Sequence, residues 1–232
     1  IIIAVKACSG NLRECVSKCL DLKFQDYEII ILPDLDKPPF PLPISRTNTR
    51  VIPTGNITPP YKRDLGAKEA KGEILAFLDD DAYPEASWLD EAVKIFAESA
   101  NIACVCGPAI TPEDDSLKQK ASGLVYSSIF ISGNHKFRYL AQSRREVSDF
   151  PSCNFLIRKD VFDEVGGFDK PFWPGEDTFL CLKVLNTGKK MIYDPKVLVF
   201  HHRRTLFGKH LNQIKNYALH RGYFVKKYPK TS

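Results

Sequence analysis

The sequence predicts an α/β fold in which a mostly parallel central sheet is flanked by helices. Short, β-branched apolar runs alternate with segments of helical periodicity, the pattern of strands joined by helical crossovers. The runs are apolar throughout, as expected of strands covered on both faces. One run, residues 74–78, leads directly into Asp79, Asp80 and Asp81. We therefore expect this acid triplet at the carboxyl end of a buried strand, where open α/β sheets bind ligands.

The first half of the chain follows this alternation, with one long interruption. Residues 11–22 carry apolar side chains at helical spacing, and Asn11 is the expected cap. Residues 36–60 hold seven of the sixteen prolines and are expected to be mostly loop. Residues 84–99 form an amphipathic pattern, with Pro84 in the first helical turn. The predicted strands are 1–5, 27–32, 50–52, 74–78 and 102–110, and the predicted helices are 11–22, 61–71 and 84–99.

Glycines mark the ends of the elements predicted in the second half. Gly166 and Gly167 end one helical pattern, and Gly188 ends another. The last helix is basic and aromatic, so it either packs on the domain or lies at a membrane interface. The predicted strands are 154–157, 191–193 and 197–200, and the predicted helices are 117–130, 159–165, 178–187 and 206–228.

The length and composition are those of a globular domain. A chain of 232 residues and 26.3 kDa, with 44% hydrophobic and 26% charged residues, suits a single domain with a sizeable core. We divide it into a half up to residue 110, a half over 111–205, and a C-terminal basic amphipathic helix over 206–232. No apolar run is long enough to span a membrane and no signal peptide is visible. Because the chain does not begin with Met, we expect it to be a domain of a longer protein.

The net charge and the cysteine content limit the possible partners and the expected cellular compartment. The net charge of +5 is too small and diffuse to indicate nucleic-acid binding. The seven cysteines are an odd number and include no Cys-x-x-Cys pair, which favours free thiols in a reducing compartment over disulfides or a zinc site. We therefore expect a cytoplasmic protein, with the cytoplasmic face of a membrane as a further option, since basic residues gather late in the chain.

Three polar clusters each follow an apolar run. They are the acid triplet at 79–81, the pair Glu176 and Asp177, and the segment 201–204, which reads His-His-Arg-Arg. Together they supply oxygen ligands, a carboxylate base, imidazole and cations, an inventory that fits a diphosphate handled through a divalent metal. The alternative for the triplet is a solvated acidic turn before a helix. P-loop, dinucleotide-binding and nucleophile-elbow motifs are absent from the sequence.

Four motifs, in order along most of the chain, resemble those of family 2 glycosyltransferases of the GT-A type. The first runs from Arg63-Asp64-Leu65-Gly66 through Ala70-Lys71-Gly72-Glu73-Ile74 to Phe77-Leu78-Asp79-Asp80-Asp81, which resembles the approach to the family's Asp-x-Asp motif. The others are Asn154-Phe155-Leu156-Ile157-Arg158 with Gly166-Gly167-Phe168-Asp169, then Gly175-Glu176-Asp177, then Val199-Phe200-His201-His202-Arg203-Arg204.

The resemblance implies a GT-A domain whose first half binds a nucleotide-sugar, a UDP- or GDP-sugar, and whose second half binds the acceptor. It implies Mn²⁺ or Mg²⁺ and inverting transfer to a saccharide or lipid-linked acceptor. By position, Asp81 would hold the metal and Asp79 would face the donor's sugar side. The remaining residues carried over are Asp80, Asp34 and Arg63 for donor contacts, and His201 or His202 for the metal.

On the acceptor side the resemblance points to Asp177 as the catalytic base, with Glu176 and Trp173 in the acceptor site. A carboxylate in this place can take the proton of the acceptor hydroxyl as it attacks the sugar. A helix N-terminus lowers the pKa of such a carboxylate, whereas burial beside Trp173 raises it.

Several alternatives stay open from the sequence. Asp177 could be only a helix N-terminal acid, Arg63 a helix-face charge, and Trp173 a core residue. The loop at 33–39 departs from the family's usual pattern, which leaves the nucleotide open. Two other functions compete with glycosyl transfer: a sugar-phosphate nucleotidyltransferase, and a non-catalytic module that binds nucleotide-sugar or glycan.

Overall fold

The computed structural model describes residues 1–35, 48–170 and 173–228. The strands are β1 (Ile2–Ala4), β2 (Ile29–Leu32), β3 (Thr49–Val51), β4 (Ile74–Asp79), β5 (Ala82–Pro84), β6 (Ile102–Cys106), β7 (Ala109–Ile110), β8 (Arg145–Glu146), β9 (Asn154–Arg158), β10 (Lys190–Tyr193) and β11 (Val199–His201). The helices are α1 (Gly10–Leu20), α2 (Pro59–Glu69), α3 (Trp88–Glu98), α4 (Leu117–Ser127), α5 (Ile129–Ser132), α6 (Lys159–Glu164), α7 (Glu176–Asn186) and α8 (Gly208–Lys227), with a 3₁₀ helix at Gly133–Arg138. The loop predicted over 36–60 lies outside the described residues between 36 and 47.

A large central sheet has the strand order β3-β2-β1-β4-β9-β6-β10-β8. Strands β1 to β4 pair in parallel, as do β6 and β10, whereas β9 runs antiparallel to both β4 and β6. The predicted α/β fold, with a large central sheet flanked by helices, is confirmed. The parallel half brings the carboxyl ends of β1, β2 and β4 to one edge, because Ala4 pairs with both Leu32 and Asp79.

The core lies in two layers, one on each face of this sheet. Ile3 and Ile31 face the layer that contains buried residues of α1 and α3, whereas Ile2 and Ile30 face the layer formed with α2, α6 and α7. Alternate side chains of a strand point to opposite faces, so strands covered on both sides must be apolar throughout. This packing explains why the apolar runs predicted the strands.

Three details of the predicted elements are wrong. Helix α1 is capped by Ser9, whose Oγ accepts a hydrogen bond from the Leu12 amide at 3.2 Å, and not by Asn11. Pro84 ends strand β5 instead of opening a helix. The run 102–110 is two strands, β6 and β7, in different sheets. The chain changes sheet at Gly107, where a Cβ would lie 1.8 Å from the Val197 carbonyl oxygen.

A second sheet of three strands, in the order β5-β11-β7, lies against the end of β4. Strand β5 begins three residues after Asp79, and β11 pairs antiparallel with it so that His201 lies opposite Ala82. The buried side-chain amide of Asn154 ties the junction together, donating to the carbonyls of Gly107 and Val197 at 2.8 and 2.7 Å. The junction therefore brings the third polar cluster beside the acid triplet.

The predicted C-terminal helix is present as α8 and packs on the domain at two places. His210 lies buried near its start, 2.7 Å from the Ser122 hydroxyl of α4. Near its end, the rings of Phe224 and Tyr228 contact Phe179 of α7. Among the described residues, no helix combines the length and the apolar character needed to cross a membrane.

Candidate active site

The acid triplet lies where the two sheets meet. Asp79 is the last residue of β4, and Asp80 and Asp81 form the turn into β5. The His202 amide donates to the Asp81 carbonyl oxygen at 2.9 Å, which continues the pairing of β11 with β5. Backbone pairing alone therefore carries the His201 side chain to the triplet.

His201 and Asp81 are in direct contact. Nε2 of His201 lies 3.0 Å from Oδ1 of Asp81, and Nη1 of Arg203 lies 3.0 Å from Nδ1 of the same ring. Arg203 is itself buried, and its guanidinium lies over the ring of Tyr139 with 5.1 Å to the centroid. Arg203 thus holds the imidazole plane so that Nε2 faces the acids.

Asp79, Asp81 and His201 form a candidate metal centre. Each of the three offers one ligand atom, and these atoms lie within 4.8 Å of one another. Carboxylate oxygens with one imidazole suit Mn²⁺ or Mg²⁺. The charges in the triplet also call for a counter-cation, since burial and the neighbouring charges of Asp81 and Asp79 raise the pKa of Asp80 to about 7.

The pKa of Asp81 moves the other way. Burial works against its charged form, but the charge of His201 and the hydrogen bond between the two side chains outweigh burial and lower the pKa. Asp81 is therefore held as a carboxylate, the form in which an acid ligates a metal.

Arg63 of α2 connects the candidate metal centre to helix α7. Its guanidinium is buried and donates at 3.0 Å to Oδ1 of Asp79 and at 2.8 Å to Oε1 of Glu176, while it lies over the ring of Phe168. The expected donor contact of Arg63 is untested, but its two carboxylate partners explain why a cation is stable in this buried place. Glu176, expected near the acceptor, is buried on Arg63.

Asp177 occupies the first turn of α7, next to this pair. Its Oδ2 accepts a hydrogen bond from the Ser152 amide at 3.1 Å. Burial, the charge of Glu176 and the charge of Asp149 raise its pKa to about 7, against the opposing effects of Arg63 and the Ser152 amide. Burial and the neighbouring acids therefore outweigh Arg63 and the Ser152 amide in setting the pKa of Asp177. Trp173, on the loop before α7, is 46% exposed and is open to a ligand.

Asp34 lies at the carboxyl edge of the sheet, as predicted, two residues beyond β2. Its partner, Lys62, could not be predicted from the sequence, because a lysine among helix charges is usually exposed. Here Lys62 is buried, contacts the Asp34 carboxylate, and donates to the carbonyls of Val5 and Leu32 at 2.6 and 3.1 Å. Lys62 therefore links the ends of β1 and β2 to the acid expected at the nucleotide.

The two histidines expected as alternative ligands occupy different places. His202 points away from the triplet and lies between Asp115 and Glu14, with its ring nitrogens 2.5 and 3.0 Å from their oxygens. Burial opposes its charged form, but these two hydrogen bonds and carboxylate charges raise its pKa. His202 thus links α1 to the segment before α4, while His201 alone of the two joins the three-ligand group.

Comparison with known proteins identifies the family. The model described as glycosyl transferase family 2 matches residues 1–166. The chain belongs to glycosyl transferase family 2. A curated relative, the pre-mycofactocin glycosyltransferase of Mycobacterium tuberculosis, is 29% identical over 147 residues, which cover 63% of this chain and 30% of the relative. The chain therefore spans about a third of the length of that relative.

Solved structures confirm the GT-A fold of this family 2 chain. A mannosyltransferase from Pyrobaculum calidifontis, in complex with GDP-Man and Mn²⁺, superposes with a TM-score of 0.62 at 16% identity, covering 87% of this chain and 56% of that one. GalNAc-T7 with UDP, GalNAc and Mn²⁺ superposes with a TM-score of 0.65 at 16% identity, covering all of this chain and 50% of that one.

Proposed function

We propose that this chain is the catalytic domain of a metal-dependent, inverting glycosyltransferase. It would move a sugar from a UDP- or GDP-sugar to a hydroxyl of a saccharide or lipid-linked acceptor. The observation that carries the proposal is the chain of contacts from the Asp79, Asp81 and His201 group, through Arg63, to the acids at the start of α7. This arrangement sets a candidate cation site beside a carboxyl group that titrates near neutral pH.

We call the Asp79, Asp81 and His201 group the metal corner of the site and Asp177 its base corner. The proposed chemistry follows from these two corners. A bond forms between the acceptor oxygen and the anomeric carbon as the bond from that carbon to the diphosphate breaks, and the acceptor's proton passes to Asp177. A single displacement from the face opposite the diphosphate inverts the anomeric centre. With a pKa of about 7, Asp177 is ionised in a large fraction of molecules at neutral pH and still basic enough to take the proton. A divalent cation, when bound, offsets the charge of the departing diphosphate.

The donor's nucleotide belongs to one of two candidate classes, GDP or UDP. The two structures compared contain GDP-Man and UDP, so the fold accepts both classes in other proteins. Asp34 and its Lys62 partner lie at the sheet edge expected to contact the nucleotide. We propose that these two residues select the nucleotide base of the donor. The cytoplasmic localisation expected from the free cysteines stays a prediction.

A thermal-shift panel tests donor and metal together. UDP- and GDP-sugars are each added with Mn²⁺, with Mg²⁺ or with EDTA, because a ligand that binds the native state raises the unfolding temperature. We expect a shift that needs both a metal and one nucleotide class, and its loss in Asp81→Asn. A metal-independent shift would contradict the proposal.

Product analysis separates the proposal from its two rivals. Sugar transfer from the selected donor to water or to a test saccharide supports the glycosyltransferase. Pyrophosphate release from a nucleoside triphosphate and a sugar phosphate would instead indicate a nucleotidyltransferase. Tight donor binding with neither product would indicate a binding module.

A further inference from the structure

A group of large apolar side chains stands exposed on α4 and α5. Leu117 and Leu124 are 82% and 72% exposed, and they lie two turns apart on one stripe of α4. Ile129, Phe130 and Ile131 on α5 are 60%, 95% and 59% exposed. Several large apolar side chains exposed in one short segment are typical of an interaction site in a folded protein. We call these five side chains the apolar tip.

The fold holds the tip outward, because the opposite face of α4 is packed. Ser122 is buried against His210 of α8, and a Cβ at Gly123 would lie 2.2 Å from the Thr111 hydroxyl oxygen. Ser128 begins α5 by accepting a hydrogen bond from the Phe130 amide at 3.3 Å. The exposed stripe is therefore a consequence of how α4 is anchored, and not of a loose terminus.

The tip belongs to a stretch of sequence rich in positive charge, which follows the acids Glu113, Asp114 and Asp115. Residues 116–145 and 195–232 contain fifteen of the chain's 33 Lys and Arg and none of its 28 Asp and Glu. The remainder of the chain thus has eighteen cationic residues against 28 acids. The two cationic segments touch, since the Leu206 amide donates to the Lys118 carbonyl at 3.2 Å. Lys118, Arg204 and Lys215 are exposed in them.

We propose that the apolar tip docks on an anionic lipid bilayer, with the surrounding cations on the lipid headgroups. Apolar side chains at a cationic surface bind such a bilayer by entering the headgroup boundary while Lys and Arg stay on the charged headgroups. The contact that we propose is made by side chains at the surface of the domain. The surface is different from the one that the sequence suggested, because it is centred on α4 and α5 and not on α8 alone.

Charge decides between a bilayer and a second copy of this chain. A symmetric contact through the tip would bring two cationic surfaces together, and like charges across an interface oppose association. An anionic bilayer instead neutralises both.

The tip adjoins the candidate active site. The guanidinium of Arg203 lies over the ring of Tyr126, at the end of α4, with 5.7 Å to the centroid, and the same Arg203 contacts His201. If the proposed glycosyl transfer is correct, on which this last step rests, docking at the tip brings the candidate metal centre close to the membrane. A lipid-linked acceptor would then meet the site at the bilayer surface.

Vesicle flotation without nucleotide-sugar tests the docking independently of any transfer. The chain is mixed at low salt with vesicles of phosphatidylcholine, alone or with phosphatidylglycerol. We expect binding to the anionic vesicles that weakens with salt. The double variant Phe130→Ser/Ile131→Ser should lower the bound fraction by about tenfold or more, because each buried apolar side chain contributes about a factor of ten. The matched control Ile57→Ser, also an exposed apolar residue, should change it less than about twofold.

Charge variants test the cationic surround. Lys118→Gln/Lys215→Gln should weaken anionic binding by about twenty-five-fold, since each charge contributes about a factor of five. Lys18→Gln/Lys23→Gln, an equal charge change on exposed residues elsewhere, should not. Every variant is checked for the unfolding temperature of the parent chain, since all the altered side chains are at the surface.

Three results would overturn the proposal. One is no binding of the parent chain to anionic vesicles at low salt. Another is binding that the tip variant leaves unchanged. The third is self-association without vesicle binding that Phe130→Ser/Ile131→Ser abolishes, which would make the tip an interface between copies. Transfer activity does not enter any of these readouts, so the proposed function can fail or hold independently.

Discussion

Asp81 and Asp177 are the same residue type in similar local sequence, yet the structure moves their pKa values in opposite directions. Both follow another acid, and both are half-buried. The imidazole of His201 lowers the pKa of Asp81, whereas burial and the charge of Glu176 raise that of Asp177 to about 7. The neighbouring groups, and not the residue type, therefore decide whether an acid of this site is held ionised or has a raised pKa.

Arg63 explains how the two corners coexist. Its guanidinium is shared between Asp79 on the metal side and Glu176 beside Asp177. Glu176 is thereby paired with a cation, whereas burial and the charge of Glu176 raise the pKa of Asp177 to about 7. Two carboxylates whose environments separate their pKa values are the usual basis for dividing ligand and proton-transfer roles.

The largest effect should come from removing each acid in turn. Asp177→Asn should lower kcat by about 10²–10⁴-fold, because the acceptor hydroxyl loses its base. It should keep the metal-dependent thermal shift with donor, which Asp81→Asn should lose. Transfer rates and thermal shifts of the two variants measure these effects. An Asp177→Asn enzyme with full kcat would show that Asp177 is not the base.

Breaking the bridge between the corners should cost stability. Arg63→Met leaves Asp79 and the buried Glu176 without their cation, so we expect the free energy of unfolding to fall by about 3–5 kcal/mol. Lys94→Met, which removes an exposed ion pair with Glu91, is the control and should leave the free energy of unfolding close to that of the parent chain. Urea denaturation compares them, and equal losses would mean that Arg63 is not a bridge of this kind.

The histidines sharpen the boundary of the metal corner. His201→Ala should weaken Mn²⁺ binding at least about tenfold, as loss of one ligand or its support does. His202→Ala should leave Mn²⁺ affinity within about twofold and lower thermal stability, because its partners are Glu14 and Asp115. Calorimetric titration with Mn²⁺ gives both affinities. A similar loss of Mn²⁺ affinity in the two variants would contradict the assignment of His201 alone to the metal group.

The smallest effect concerns the pH dependence of stability. The pKa of Asp177 is raised in the folded state from an ordinary value of 3.8 to about 7. Its contribution is therefore complete below about pH 4 and is lost as the pH rises through about 7. Asp177→Asn should exceed the parent chain in stability at pH 8 by on the order of 1 kcal/mol, and this gain should vanish near pH 4. Thermal denaturation at both pH values measures it, and a gain that does not vary with pH would show that Asp177 is not so buried.

The sequence was sufficient for features that depend on short-range pattern. The apolar run before Asp79 predicted strand β4 because a strand covered on both faces must be apolar throughout. Asp34 was predicted at the sheet edge because it directly follows another such run. Local pattern was misleading where the chain changes sheet, as at Pro84 and Gly107, because an apolar run does not say which sheet a strand joins.

The sequence by itself determined the α/β class, the acid triplet at a strand end, and the motifs that identify glycosyl transferase family 2. Only the tertiary structure decided that His201, and not His202, faces Asp81. Neighbouring residues of a strand point to opposite sides, and the side is set by the pairing of β11 with β5, which are more than a hundred residues apart. The buried partners of Arg63 and Lys62 were hidden for the same reason. A charge that is stable only through distant carboxylates and carbonyls leaves no local trace in the sequence.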